Sequence, residues 1–245
     1  MKRVLTGLAV YLILFMLFLT TGHAEYDYFE MLNLDERTSG YYIMKDRESG
    51  ETILKTARHL HVGDEFIDQE NRRFRVVDIE DDTAWAELMN TEAGALTEVP
   101  VREEASPVPV QGEDNQGSVG LYHSHGAESY VPSDGSESID EGGGILKVGE
   151  VFSNALEDNG IEAEHITETH VPHDAGAYHR SRRTAEELLM EGHDALFDVH
   201  RDAVPPEEYA TEVEGENVTR ILMVVGRQNQ NVDSNENFAQ GLKDS

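Results

Sequence analysis

His125 and Glu128 form an H-x-x-E pair inside Tyr122-His123-Ser124-His125-Gly126-Ala127-Glu128-Ser129-Tyr130. Two side chains at that spacing converge on one point when the chain curls into a helical or turn conformation, and an imidazole beside a carboxylate suits Zn²⁺. A third donor has to come from elsewhere. His200, at the end of Ala195-Leu196-Phe197-Asp198-Val199-His200-Arg201-Asp202, is expected to supply it. A His₂Glu set leaves one position for water, the arrangement of catalytic rather than structural zinc. The chain has no cysteine, so thiolate ligation and disulfides are excluded and any metal rests on His, Asp or Glu.

Each candidate has an alternate. His123 faces the same way as His125 in an extended strand and is the substitute donor, although His125 owns the spacing to Glu128. Glu128 also fits a carboxylate favoured by a helix start; in that case Asp140 or Glu141, ahead of Gly142-Gly143-Gly144, takes its place. The glycine run resembles a phosphate loop but lacks the following Lys-Ser or Lys-Thr. Arg201 is the candidate catalytic residue outside the donor set, steadying either an anionic substrate group or Asp202. Asp198 either accepts the second ring proton of a ligand histidine or faces solvent as an ordinary strand residue. His173, with Asp174, lies in a loop between elements and either lines the cleft or, as expected, is a solvated loop histidine, the expectation also for His165, His170, His179 and His193.

These residues need a frame that brings distant segments together. Val119-Gly120-Leu121-Tyr122 reads as a short buried strand, and Leu146, Val148, Val151, Phe152, Ala155 and Leu156 recur at helical spacing until Asn159-Gly160 stops them. Residues 161–167 return as a strand, 184–190 read as a helix, 195–199 and 221–225 as further buried strands, and 235–242 as the start of another helix. Such alternation predicts an α/β domain over 118–245, a parallel sheet flanked by helices with its active groups at the carboxyl ends of the strands. His125 and His200 both occupy that kind of position.

Ahead of it, residues 25–105 read as a small β-rich domain. Tyr41-Tyr42-Ile43-Met44 and Thr52-Ile53-Leu54 flank the turn residues 46–50, and strands around Phe66 and Phe74–Ile79 flank 68–72. Trp85 and Leu88 are expected to cover the open face of this sheet, with His59 and His61 on a polar strand edge. Residues 106–117, rich in Pro, Gly and polar side chains, read as a linker that lets the domains move. Residues 1–24 are a targeting segment: Lys2 and Arg3 precede an apolar run from Val4 to about Thr21, long enough to cross a bilayer as a helix. The expectation is a retained membrane anchor with the remainder outside the cytoplasm; the alternative is cleavage after Ala24 and secretion.

The balance of 19 Lys and Arg against 49 Asp and Glu gives a net charge of −30, spread along the chain. Nucleic-acid backbone is excluded as a partner. Such a surface suits either a salt-rich habitat or an ordinary acidic secreted protein.

Four ordered stretches also carry a resemblance: His123–Tyr130, Leu146-Lys147-Val148-Gly149, Asp198–Asp202 and Val224-Val225-Gly226-Arg227-Gln228-Asn229. Together they resemble the stage II sporulation protein P family, and the segment around Gly63-Asp64-Glu65 resembles the region preceding the catalytic domain in some members. That family is similar to the zinc-dependent N-acetylmuramoyl-L-alanine amidases. The resemblance implies a membrane-anchored peptidoglycan hydrolase of spore engulfment, an amidase with endopeptidase activity, working with stage II sporulation proteins D and M. It also implies a late glutamate as general base; either the chain is truncated and that residue is expected beyond Ser245, or the base comes from elsewhere. Two other readings remain: a zinc carboxypeptidase-like enzyme, and a non-catalytic protein that binds or scaffolds the wall.

Overall fold

Asp46 closes the first hairpin. Its Oδ1 accepts the backbone N–H groups of Glu48 at 2.9 Å and Ser49 at 2.6 Å, and Gly50, at φ +74°, turns the chain back. The strands so joined are β1 (Tyr42–Asp46) and β2 (Thr52–Thr56). Asp68 does the same for β3 (Glu65–Ile67) and β4 (Arg73–Glu80): its carboxylate accepts the backbone N–H of Glu70 and Arg72 and the Arg72 Nε–H at 2.6 Å. In this computed structural model the described residues are 37, 39–89, 117–174, 176–226 and 231–244. The membrane segment and all but the last residue of the linker lie outside them. Among the described residues no helix is long and apolar enough to cross a membrane.

The segment expected to cover the first sheet is instead its middle strand, β5 (Thr83–Leu88), in the order β2-β1-β5-β4-β3. Alternation in Thr-Ala-Trp-Ala-Glu-Leu explains this: Ala84 and Ala86 point into a core with Met44, Phe74 and Val76, while Trp85 takes the other face and donates to Glu80. Leu88 is exposed. His59 and His61 lie beyond β2 rather than on a strand, His59 edge-on to Tyr42 and the backbone N–H of His61 on Asp64 Oδ2.

The second sheet holds β6 (Ser118–Tyr122) between β7 (Glu162–His165) and β8 (Ala195–Asp198), both parallel to it. Between β6 and β7 run a single turn, α1 (Val131–Asp134), and the long helix α2 (Gly144–Asp158); α3 (Ala177–Glu191) joins β7 to β8. Because β7 and β8 flank β6 on opposite sides, right-handed crossovers place α2 and α3 on opposite faces of the sheet. The chain is thus mixed α/β, with a parallel sheet that carries helices. Helix α3 begins well before the expected 184. Its buried stripe is Ala177, Ser181, Thr184 and Leu188, mostly small or polar residues that give little apolar signal.

Both sheets belong to one compact unit that runs to Ala203; Val204–Ser245 forms a second. Within the second, the run 221–225 is not the expected strand. It pairs with nothing regular, and Ile221 is 85% exposed. The hairpin there is β9 (Ala210–Val213) with β10 (Glu216–Thr219), turned by Glu214 and Gly215, both at positive φ. An apolar run becomes a strand only where a partner edge accepts its backbone, which periodicity cannot report. Helix α4 (Val232–Asp244) follows.

Candidate functional site

Strand register builds the site. Tyr122 of β6 is paired with Asp198 of β8, so the residues leaving both strands emerge side by side at the carboxyl edge of the sheet. They are stitched there: Val199 N–H donates to Tyr122 O at 2.9 Å, and Asp198 accepts from Ser124 N–H at 2.7 Å and from its hydroxyl at 2.5 Å. The backbone N–H of Glu128 returns to His125 O at 3.0 Å, making the turn that sets the two side chains together.

Glu128 is wholly buried at the centre. Its Oε1 lies 3.4 Å from His125 Nδ1 and 3.4 Å from His200 Nδ1, while Oε2 accepts the Arg201 backbone N–H at 2.6 Å. The His125 and His200 rings stand edge to face with centroids 5.3 Å apart. On its far side His200 donates Nε2–H to Asp198 Oδ1 at 2.9 Å. Burial opposes the His200 cation, but the carboxylates of Asp198 and Glu128 outweigh it and push its pKa up to about 10. Burial likewise opposes the Glu128 carboxylate, yet the two imidazoles and the Arg201 N–H hold it well below the usual range.

His125 decides what this pocket suits. Both its ring nitrogens are buried and neither has a hydrogen-bond partner. A buried imidazole without partners is costly unless something accepts its lone pair. Two imidazoles beside a buried carboxylate are donor types that suit a divalent metal, so the residues present fit Zn²⁺ in kind; the donor atoms here that lie within 4.8 Å of one another are those of His125, Glu128 and His173, and His200 reaches the group through Glu128 Oε1.

The structure places the other candidates elsewhere. His123 is no alternate donor: its Nδ1–H donates to Val199 O and its Nε2 accepts from His165 Nε2, each at 2.8 Å. Burial lowers the His123 pKa to about 4 and keeps that ring neutral. Asp140 and Glu141 are exposed and stand outside the group. Arg201 contributes through its backbone, and Asp202 accepts the Ala57 N–H at 2.7 Å, joining the first sheet to the end of β8. Of the histidines expected in solvated loops, only His179 is exposed. His165 pairs with His123, His193 meets Glu164 at 3.1 Å, and His170 is buried between His123 O and Thr184 Oγ1.

Two further residues enter the site: His173, for which the cleft is the less expected of two placements, and Tyr178, which no sequence pattern singles out. His173 lies with its ring centroid 4.7 Å from that of His125, and one donor atom each from His125, Glu128 and His173 all fall within 4.8 Å of one another. Burial and the neighbouring His125 lower its pKa. Tyr178 sets its ring 4.8 Å from His125 and 5.9 Å from His200. A signal for His173 was present: its loop leaves β7 at the same carboxyl edge as the loops of His125 and His200. The glycine run serves packing. Gly143 donates to Gly126 O, Gly144 to Ser129 Oγ, and Ile145 to Glu128 O, so α2 begins directly against the Glu128 main chain.

A family model described as stage II sporulation protein P matches residues 28–245. Stage II sporulation protein P of Bacillus subtilis (strain 168) is 26% identical over 149 residues, a stretch that is 55% of this chain and 37% of that protein. No solved structure matches the chain. A match running through both sheets and every residue of the site shows that the chain belongs to the stage II sporulation protein P family and is a sporulation protein.

Proposed function

We propose that this protein is a zinc-dependent peptidoglycan hydrolase, an N-acetylmuramoyl-L-alanine amidase with an amidase-like α/β domain and added endopeptidase activity. The observation that carries the proposal is the buried imidazole of His125, whose ring nitrogens make no hydrogen bond, beside a carboxylate that also faces His200. His125, Glu128 and His200 would hold the metal. Bound there, Zn²⁺ supplies Lewis-acid polarisation of the scissile carbonyl and a water acidic enough to attack near neutral pH.

The chain's own residues do the rest. Asp198, fixed by both donors of Ser124, takes the Nε2–H of His200 and so turns Nδ1 toward the centre. The Arg201 N–H holds Glu128 Oε2 and leaves Oε1 facing the imidazoles. Since Glu128 is committed at both oxygens, the proton released by the attacking water has to pass to the leaving amine through another group. The whole assembly acts outside the cytoplasmic membrane in this reading, tethered by residues 4–21 and working with stage II sporulation proteins D and M.

Purified peptidoglycan incubated with the chain and Zn²⁺ tests this. The expected products are stem peptides with a new L-alanine amino group, abolished by a chelator and by His200→Ala. Release of single terminal residues instead would make the protein a carboxypeptidase, and wall binding without any release would make it a scaffold; either overturns the amidase reading.

A further inference from the structure

The loop after β7 is fastened on both sides of His173. His170 is buried, with Nδ1–H on His123 O and Nε2 accepting from Thr184 Oγ1, each at 2.8 Å. On the other side Asp174 meets Arg180 Nη2 at 2.6 Å, and its carbonyl accepts the Ala177 N–H at 2.9 Å. Arg180 clamps the whole bend: its Nε–H donates to His170 O at 2.7 Å and Nη2 also reaches Pro172 O. One guanidinium thus grips the loop at residues 170, 172 and 174, and the side chain delivered between them is His173.

That side chain points at the candidate metal centre. Donors bound to one four-coordinate Zn²⁺ at about 2.0–2.2 Å stand about 3.3–3.6 Å apart. One donor atom each from His125, Glu128 and His173 already lies within 4.8 Å of the others, so closing in by about an ångström brings them onto one ion. A solvated loop histidine has no need of a clamp. We infer that His173 is a fourth protein donor to the ion held by His125, Glu128 and His200, positioned by Arg180. The resting centre is then closed by protein atoms, and water or substrate enters either as a fifth ligand or by displacing His173. The inference rests on the metal-site reading above.

Cobalt titration of the full chain tests it, since Co²⁺ absorption is strong in four-coordinate sites and weak in higher coordination. The wild-type chain should bind one Co²⁺ with intense visible bands. His173→Ala should weaken binding at least ~10-fold, the lower end of what losing even an outer-shell partner costs, and change the band shape. Arg180→Met, which frees the loop and leaves every donor in place, should give a smaller loss in the same direction. The His173 ring nitrogen shift in the wild-type protein should move on Zn²⁺ addition, a readout that needs no variant. Unchanged affinity, spectrum and ring shift, with the wild-type chain still binding Co²⁺, would overturn the fourth donor and leave the metal site standing. A wild-type chain that binds no Co²⁺, or His200→Ala that binds as well as wild type, would remove the metal-site reading itself.

Discussion

Substituting Gly143 by alanine tests whether close helix approach is what positions Glu128. Gly143 has φ −81° and ψ 171°, a conformation open to any residue, so the backbone itself tolerates the change. Space does not. A Cβ there would stand 1.8 Å from Glu128 O, 2.4 Å from Glu128 C and 2.5 Å from Ala127 O. All three are main-chain atoms with no rotamer to escape into. Moving the nearest contact from 1.8 to 3.0 Å, the shortest that real Cβ atoms tolerate, requires about 1.2 Å of backbone displacement. Overpacking of this kind costs about 1–3 kcal/mol, and weakening the Ile145 N–H bond to Glu128 O adds about 1 kcal/mol. The reduced entropy of the unfolded chain returns only ~0.4–1 kcal/mol. The net loss of ~2–3 kcal/mol should lower Tm by roughly 4–12 °C for a chain of this size. Metal affinity should fall as well, because ligand positions tolerate only about 0.2 Å. Gly117→Ala is the control: its nearest neighbour would be Asp194 Oδ2 at an ordinary 3.8 Å, and stability should hold within ~0.5 kcal/mol. Scanning calorimetry and zinc competition read both quantities. A Gly143→Ala protein as stable and as tight for zinc as the control would refute the packing argument.

Three further outcomes are expected. Asp198→Asn removes the carboxylate that receives His200 Nε2–H and should cost about 10–100-fold in zinc affinity by competition with a chromogenic chelator; unchanged affinity would count against that orienting role. Asp202→Ala strands the buried Ala57 N–H and should destabilise by ~1–3 kcal/mol, with faster amide exchange at Ala57; slow exchange in the variant would show that the bond contributes nothing. In the metal-free protein His123 and His200 bend the pH profile in opposite senses. His123, neutral in the fold down to about 4 against an ordinary 6.5, gives stability that is full above 6.5 and is lost as pH falls toward 4, a span on the order of 3 kcal/mol. His200, raised to about 10, gives stability that is full below 6.5 and is lost as pH rises through 10. Urea unfolding at pH 7 and pH 5, compared in wild type and His123→Asn, isolates the first effect; a wild-type curve that does not weaken at pH 5 contradicts it.

Much of the fold could be read where the signal is local. The turn chemistry of Asp46–Gly50 and Asp68–Arg72 announced two hairpins, the apolar spacing ending at Asn159-Gly160 announced α2, and the short apolar runs announced β6 and β8. The first half of α3 was not readable, because a stripe of Ala, Ser and Thr packs as well as an apolar one without looking like it. Residues 221–225 misled for the reverse reason: hydrophobicity marks a segment that can be a strand, and only a neighbouring edge makes it one. The polar hairpin of β9 and β10 carried no apolar alternation and rested on the Glu214-Gly215 turn alone.

By itself the sequence determined the inventory: no thiolate, an H-x-x-E turn that needs nothing beyond its own spacing, and a distant His200 behind an apolar run. Tertiary structure decided which histidines take part. Pairing Tyr122 with Asp198 sends His123 toward α2, where His165 and Val199 O use both its nitrogens, and leaves His125 facing Glu128 with none satisfied. It also brought in His173, through a clamp by Arg180 that no local pattern encodes. Donor chemistry is a property of each side chain, but whether its lone pair is already taken depends on strand register and on loops that meet only after folding.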